Sequence, residues 1–187
     1  MRKLTVFNHV SLDGYFTDAG GDMSWAHQGA DDPEFQQFSA SNASGEGELL
    51  FGRVTYQMMA GFWTTPAAAQ MMPKVAEGMN RMRKNVFSRT LDSVSWDNTR
   101  LIKGDLVAEA RKLKEQPGPD MVILGSGSVV AQLAAAGLID QFQVIVNPVV
   151  LGKGRTMFEG VPERLQLRLT SSRTFGNGKV FVTYEAT

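Results

Sequence analysis

At 187 residues with 43% hydrophobic content, and with Lys+Arg and Asp+Glu both totalling 19, the chain has material for one sizeable core and no net charge to draw it onto a polyanion. No basic run interleaved with aromatics is present, which excludes a nucleic-acid footprint, and the lack of cysteine excludes disulfides, thiol nucleophiles and thiolate metal sites. No apolar span is long enough for a bilayer and Met1 leads straight into a strand-like pattern, so the expectation is a one-domain, cytoplasmic protein with neither membrane nor nucleic-acid partners.

Leu4 to Val10 reads as a first strand, broken by Ser11-Leu12-Asp13-Gly14 at an Asp-Gly turn. A loop follows to about residue 32, containing Trp25 and His27; long loops at strand ends of open sheets carry substrate contacts. Asp13 either binds a ring N–H or relays a proton, or closes an Asx turn on its own backbone. His9 and His27 are the only histidines and lack partners at helical spacing, so no metal site is expected.

Asp32 is placed to cap a helix from Pro33 to about Ala43, with Phe35 and Phe38 on one face. Glu48 to Phe51 is a short apolar strand that turns at Gly52-Arg53-Val54-Thr55 directly into helix; Arg53 offers a planar fork for phosphate and Thr55 a hydroxyl near the helix start. Met58, Met59, Met71, Met72, Met79 and Met82 crowd the next stretch, as an adaptable lid or as ordinary core or dimer packing. Pro66 marks a helix start and Pro73 should kink or divide that helix.

Asn85 to Phe87 is strand-like and ends in Ser88-Arg89-Thr90, hydroxyl and guanidinium groups suited to a 2′-phosphate. A strand near Thr99–Ile102 and a helix from Leu106 to Leu113, capped by Asp105, follow. Val122, Ile123 and Leu124 read as a strand buried on both faces, turning at Gly125-Ser126-Gly127-Ser128 into an Ala-rich helix that Ser128 can cap and Gly137 can end. Free N–H groups at such a helix start stabilise an anion. Gln141 to Val146 is another strand, and Val149 to Arg155 a glycine-containing loop with two cations. Leu165, Leu167 and Leu169 alternate with polar residues, as do Val180, Val182 and Tyr184 beyond a Phe175–Gly178 turn, forming an antiparallel hairpin. The fold class is therefore a three-layer α/β arrangement with a mixed, mostly parallel sheet and a C-terminal antiparallel hairpin.

The ordered series Ser11-Leu12-Asp13-Gly14, Leu50-Phe51-Gly52-Arg53-Val54-Thr55-Tyr56, Val86-Phe87-Ser88-Arg89-Thr90 and Ile123-Leu124-Gly125-Ser126-Gly127-Ser128, continued by Pro148-Val149-Val150-Leu151-Gly152, resembles the dihydrofolate-reductase-like superfamily. Within it the chain is most similar to the reductase domain of the riboflavin-biosynthesis deaminase-reductase and its stand-alone relatives. The resemblance implies a dihydrofolate-reductase-like fold, NADPH as cofactor and a small pyrimidine or pteridine-type substrate, as for 5-amino-6-(5-phosphoribosylamino)uracil reductase. It places Gly52, Arg53, Thr55, Ser88, Arg89, Gly125, Ser126, Gly127 and Ser128 at the cofactor, Asp13 in a catalytic role, and Asn8, Ser11, Gly14, Trp25 and Glu34 at the substrate. It also implies pairing into a homodimer.

Two departures shape the expectation. The acidic residue that commonly precedes the glycine turn in riboflavin-pathway reductases is replaced by Leu124. In dihydrofolate reductases a helix before the Gly-Arg-x-Thr motif supplies the carboxylate that grips the pterin, and Asp31, Asp32 and Glu34 stand in that region. The readings carried forward are an NADPH-dependent reductase, a dihydrofolate reductase in the narrow sense, and a non-catalytic nucleotide-binding module.

Overall fold

The computed structural model describes residues 1–43 and 46–187. Along the chain run β1 (Leu4–Ser11), β2 (Thr17–Asp18), a 3-10 turn (Ser24–His27), α1 (Pro33–Ala43), β3 (Glu48–Gly52), α2 (Arg53–Trp63), α3 (Pro66–Met71), α4 (Pro73–Arg81), β4 (Arg83–Phe87) and β5 (Thr99–Ile102). They are followed by α5 (Leu106–Glu115), β6 (Met121–Leu124), α6 (Gly127–Ala135), β7 (Gln141–Asn147), β8 (Gly154–Arg155), β9 (Leu167–Thr174) and β10 (Val180–Ala186). The main sheet has 8 strands in the order β5-β4-β3-β6-β1-β7-β10-β9. Pairing is parallel from β5 across to β7, and β10 and β9 add antiparallel.

The period of two along the strands sorts side chains between the sheet's faces. Leu4, Val6 and Val10 of β1, Leu50 of β3 and Ile123 of β6 face α5 and α6, where Ala110, Leu113, Val130 and Leu133 close the core. Leu49 and Phe51 of β3 and Val86 of β4 turn the other way, against Tyr56, Met79 and Trp96. Further along that second face, α1 lays Phe35 on Ile145 and Phe175, with Phe7, Phe38 and Phe181 at the margin. The result is the three-layer, mixed, mostly parallel arrangement expected.

Local signals placed the helix ends. The Asp32 carboxylate accepts the Phe35 N–H at 2.7 Å and the Asp105 carboxylate the Ala108 N–H at 2.9 Å. Thr65 caps α3 ahead of Pro66, and Pro73 divides α3 from α4. Gly137, at φ 64°, ends α6 with the Leu138 N–H on the Leu133 carbonyl and its own N–H on that of Ala134, the pattern of a glycine C-terminal cap. Met79 and Met82 lie in the core with Met59 packed on it, while Met58 and Met71 are exposed.

Other expectations need correcting. Ser128 does not cap α6: the helix begins at Gly127, and the capping position belongs to Ser126, held left-handed at φ 55°, whose hydroxyl is engaged elsewhere. The loop to residue 32 contains β2, which pairs with β8; Gly154 there comes so close to the Thr17 carbonyl that a Cβ would lie 2.2 Å from it, so the end of the Val149–Arg155 stretch is strand rather than anion loop. Val122 and Leu124 are half-buried, and only Met121 and Ile123 of β6 are fully enclosed. The leucine alternation near Leu165 enters a strand only at Leu167, and every residue of β9 is exposed because no element of the described residues covers that edge of the sheet.

Candidate active site

The carboxyl ends of β4, β3, β6 and β1 lie side by side, and two of them run straight into helices. The β3–α2 and β6–α6 turns are bolted together: the Gly52 N–H donates to the Ser126 hydroxyl at 2.7 Å, and the Ser126 N–H donates to the Thr55 hydroxyl at 3.0 Å. From β1, the Asn8 side-chain carbonyl accepts the Gly125 N–H at 2.7 Å and its amide donates to the Gly125 carbonyl and to the Met157 sulfur. Gly125 sits at φ 57° with its Cα against Thr55, and the Phe16 ring covers Gly127 closely enough that a Cβ there would meet it at 2.8 Å. Asn8, Thr55 and Ser126 therefore hold the turns that resemblance assigned to a cofactor, and Phe16 and Met157 are parts that sequence reading did not single out.

These bonds consume N–H groups before each helix; in α6 the Val129 and Val130 N–H groups donate to the Ser126 carbonyl, so the N–H groups that its start leaves without an intrahelical acceptor are those of Gly127 and Ser128, with those of the first residues of α2 beside them. They project from two neighbouring helix starts, and neither first turn contains an acidic residue. By contrast α1 and α5 carry Glu34 and Glu109 there, the usual complement to the positive end of a helix. Arg53 opens α2, exposed, with Gln57 as its one partner among the described residues, at 3.1 Å. At the end of β4, the Ser88 oxygen accepts the Thr90 and Leu91 N–H groups, and Arg89 is exposed with Asp105 no nearer than 4.0 Å. Exposed pairs of that kind are worth about 0–1 kcal/mol, so both guanidinium groups can turn to an anion at little cost. Ser128, one residue into α6, is exposed.

At the end of β1 the carboxylate of Asp13 accepts the Ser11 hydroxyl at 2.6 Å, the Gly152 N–H at 2.7 Å and the Leu151 N–H at 3.1 Å. The Ser11 hydroxyl and these amides hold its pKa below the ordinary carboxylate value, so Asp13 is ionised at neutral pH. It ties the 149–152 loop to the end of β1, and Gly14, at φ 87°, completes the turn. Glu34, in the first turn of α1, is occupied by Arg173 of β9 at 2.6 Å. Trp25 is buried in the 3-10 turn, its indole N–H on the Asp22 carbonyl at 3.1 Å.

Beneath that turn lies a buried polar chain of which no local pattern gives a sign. The Lys179 ammonium donates to the Ala26 carbonyl at 2.9 Å and to the side-chain carbonyl of Asn147. The Asn147 amide donates to the carbonyls of Val10 and Ile145 and faces His9 Nδ1 at 3.4 Å. Burial first, and the Lys179 charge second, push the His9 imidazole down to about 4. A cavity of about 130 Å³ opens beside this chain, lined by Trp25, Gln28, Asn147, Val149, Asn177 and Lys179.

With this geometry in hand, comparison with known proteins gives the family: residues 2–181 match the RibD C-terminal domain. The chain belongs to that family. The Bacillus subtilis protein YyaP is 28% identical to it over 184 residues, covering 98% of this chain and 94% of its own. Among solved structures, a putative riboflavin biosynthesis protein from Shewanella sp. PV-4 superposes with a TM-score of 0.75 at 23% identity, over 99% of both chains. The diaminohydroxyphosphoribosylaminopyrimidine deaminase/5-amino-6-(5-phosphoribosylamino)uracil reductase of Thermotoga maritima gives 0.69 at 14%, over 100% of this chain and 57% of that one. Dihydrofolate reductase from Enterococcus faecalis, complexed with NADP(H), gives 0.67 at 15%, over 99% and 96%. The dihydrofolate-reductase-like fold of this RibD C-terminal domain is thereby established, and its reductase-type class follows from the family. Among the described residues no helix is long and apolar enough to cross a membrane.

Proposed function

We propose that this RibD-type domain is an NADPH-dependent reductase of a pyrimidine or pteridine-type heterocycle, of the same kind as 5-amino-6-(5-phosphoribosylamino)uracil reductase. The observation that carries the proposal is the pair of helix starts joined by the Gly52–Ser126 hydrogen bond, both free of acidic residues and flanked by Arg53. The residues fit a dinucleotide: α6 from Gly127 and Ser128 and α2 from Arg53 offer N–H groups to a diphosphate, and Arg53, Ser88 and Arg89 offer charge and hydroxyl to a 2′-phosphate. When bound, the reduced nicotinamide supplies a hydride. Asn8, Ser11 and Gly14 border its ring end, with Trp25 on the loop above.

The narrower dihydrofolate reductase reading is less well supported, because two of the three candidate carboxylates are engaged: Asp32 caps α1 and Glu34 pairs with Arg173, leaving the exposed Asp31. The test of function is NADPH fluorescence on binding, then absorbance of the reduced cofactor as ribosylaminouracils, pterins, flavins and dihydrofolate are added. Binding without turnover of any of them would leave a nucleotide-binding module. For specificity, Arg53→Ala or Arg89→Ala should weaken NADPH by tenfold or more, since each charge-assisted bond is worth about 1.5–3 kcal/mol, while NADH affinity stays the same. Equal losses for the two cofactors would remove both residues from the 2′-phosphate.

Asp13, as an ionised anchor, is proposed to position rather than to donate a proton. Asp13→Asn should keep NADPH affinity and lower kcat by roughly tenfold to 100-fold through misplacement of the 149–152 loop, with the pH profile of the remaining activity unchanged in shape. Loss of an acidic limb from that profile would restore Asp13 as the proton donor.

We also propose a homodimer. The edge strand β9 is exposed along its whole length, and Leu165, Leu167 and Leu169 are 39%, 37% and 52% exposed. A second copy would cover both the unpaired edge and the leucines. Light scattering at micromolar concentration should give twice the 20.5 kDa chain mass; the mass of a single chain would refute pairing.

A further inference from the structure

The chain buries three lysines, and they are not equivalent. Lys84 is saturated: its ammonium donates to the carbonyls of Asn80, Met82 and Asp97 and lies 4.4 Å from the centre of the Trp96 ring. Lys114 has the Leu138 carbonyl and the Asp140 carboxylate. Lys179, only 1% exposed, has among the described residues two acceptors, Ala26 and Asn147, for three hydrogens, and no ion pair. Burial alone pushes its pKa down, without a neighbouring carboxylate to hold the charge.

An ammonium has three donors, and a buried cation short of an acceptor and a counter-charge is costly unless a ligand supplies them. The Asn147 amide is committed to two backbone carbonyls, so its oxygen is fixed toward Lys179 and cannot rotate away. The Phe35 ring, 5.3 Å away, closes one side of the ammonium. Next to this chain lies the cavity of about 130 Å³, of which Lys179 forms part of the wall. By liquid volume that is room for about four waters, or for one carboxylate and the atoms next to it.

We infer that this cavity is a binding site for a single carboxylate group, received by the Lys179 ammonium under the Trp25 loop. The Asn177 side chain, which lines the same cavity and holds the Gly29 carbonyl at 2.9 Å, keeps the loop closed over it. Because Asn147 lies opposite Ser11 in the β1–β7 register, the site is beside the end of β1, where a carboxylate borne on a ring would sit next to the proposed reductase centre. The assignment stands or falls without that reading, since its test needs neither cofactor nor turnover.

The test follows the indole N–H signals of Trp25, Trp63 and Trp96 by NMR at neutral pH and constant ionic strength. Acetate should shift the Trp25 signal saturably and leave the other two in place, with at least tenfold weaker responses to acetamide, the neutral molecule of the same shape, and to methylammonium. Lys179→Met should abolish the acetate response while the Trp63 and Trp96 signals keep their folded positions. An equal response to acetate and acetamide, no saturable response to acetate, or an acetate response that survives in Lys179→Met would overturn the site. If the variant does not fold, the comparison of acetate with acetamide in the natural protein decides alone. Benzoate separates the sources: tighter binding than acetate identifies a carboxylate carried on a ring, weaker binding a small free anion.

Discussion

Gly125→Ala should lower NADPH affinity by more than about 100-fold and reduce the stability of the protein as well. The left-handed conformation at φ 57° costs a residue with a Cβ about 1–2 kcal/mol, and that Cβ would lie 2.9 Å from Thr55 Cγ2 and 3.0 Å from its hydroxyl. Thr55 cannot yield without releasing the Ser126 N–H, and Asn8 holds Gly125 from the other side. Losing one such buried bond costs about 1–3 kcal/mol, so the sum of about 2–5 kcal/mol is centred above two factors of ten in affinity if the turn must be rebuilt on binding. Gly61→Ala is the control: a Cβ there meets nothing within 4 Å, and within α2 the change should stabilise by up to about 1 kcal/mol. Fluorescence titration with NADPH and thermal unfolding measure both variants. Natural affinity in Gly125→Ala would show that the turn does not bind the cofactor.

The second large effect is on stability against pH. His9 takes up a proton near 6.5 in the unfolded chain but only near 4 in the folded one, because burial and the Lys179 charge oppose the imidazolium. Between those values the unfolded state binds more protons, so stability rises with pH there; it is intact above 6.5 and is lost as pH falls toward 4. A full shift of this size is worth about 3 kcal/mol, and partial solvent contact of the half-buried ring reduces it to about 2 kcal/mol. Chemical denaturation at intervals across that range should show the slope in the natural protein and a flattened one in His9→Gln. Parallel slopes in the two proteins would mean that another group carries the acid sensitivity.

What was legible in the sequence was what neighbouring residues decide. Asp32 and Asp105 cap helices three residues downstream, Pro66 and Pro73 set helix starts by their own φ, and Gly137 supplies a left-handed residue where a helix must stop. The strand-end glycines and the Arg53 and Arg89 cations were legible for the same reason, since a strand-to-helix turn is a local object. Where distant parts compete for one group, local reading failed. Ser128 has the composition of a cap, but Ser126 takes the position because its hydroxyl is drawn to Gly52, a bond across 74 residues. Asp13 reads either as a group for chemistry or as a turn residue, and local reading cannot see that it accepts from the amides of Leu151 and Gly152, 138 and 139 residues away. Lys179, at the start of a polar-apolar alternation, gave no sign of burial, because the carbonyl that receives it belongs to Ala26, 153 residues earlier. A lysine beside a turn carries no local signal for that.

The bolted turns also bear on how the molecule reaches its native state. Asn8 to Gly125, Gly52 to Ser126 and Thr55 to Ser126 join segments separated by 117, 74 and 71 residues, so none of these bonds forms while β1, β3 and β6 are apart. Loop closure over such separations is slow and goes unrewarded until the central strands dock. Ligand-binding competence should therefore appear with the last, rate-limiting phase of refolding and not before it. A partly folded chain released early would have its helices and yet not the joined turns proposed to hold a dinucleotide, and a cofactor present during refolding would stabilise the finished protein without accelerating its formation.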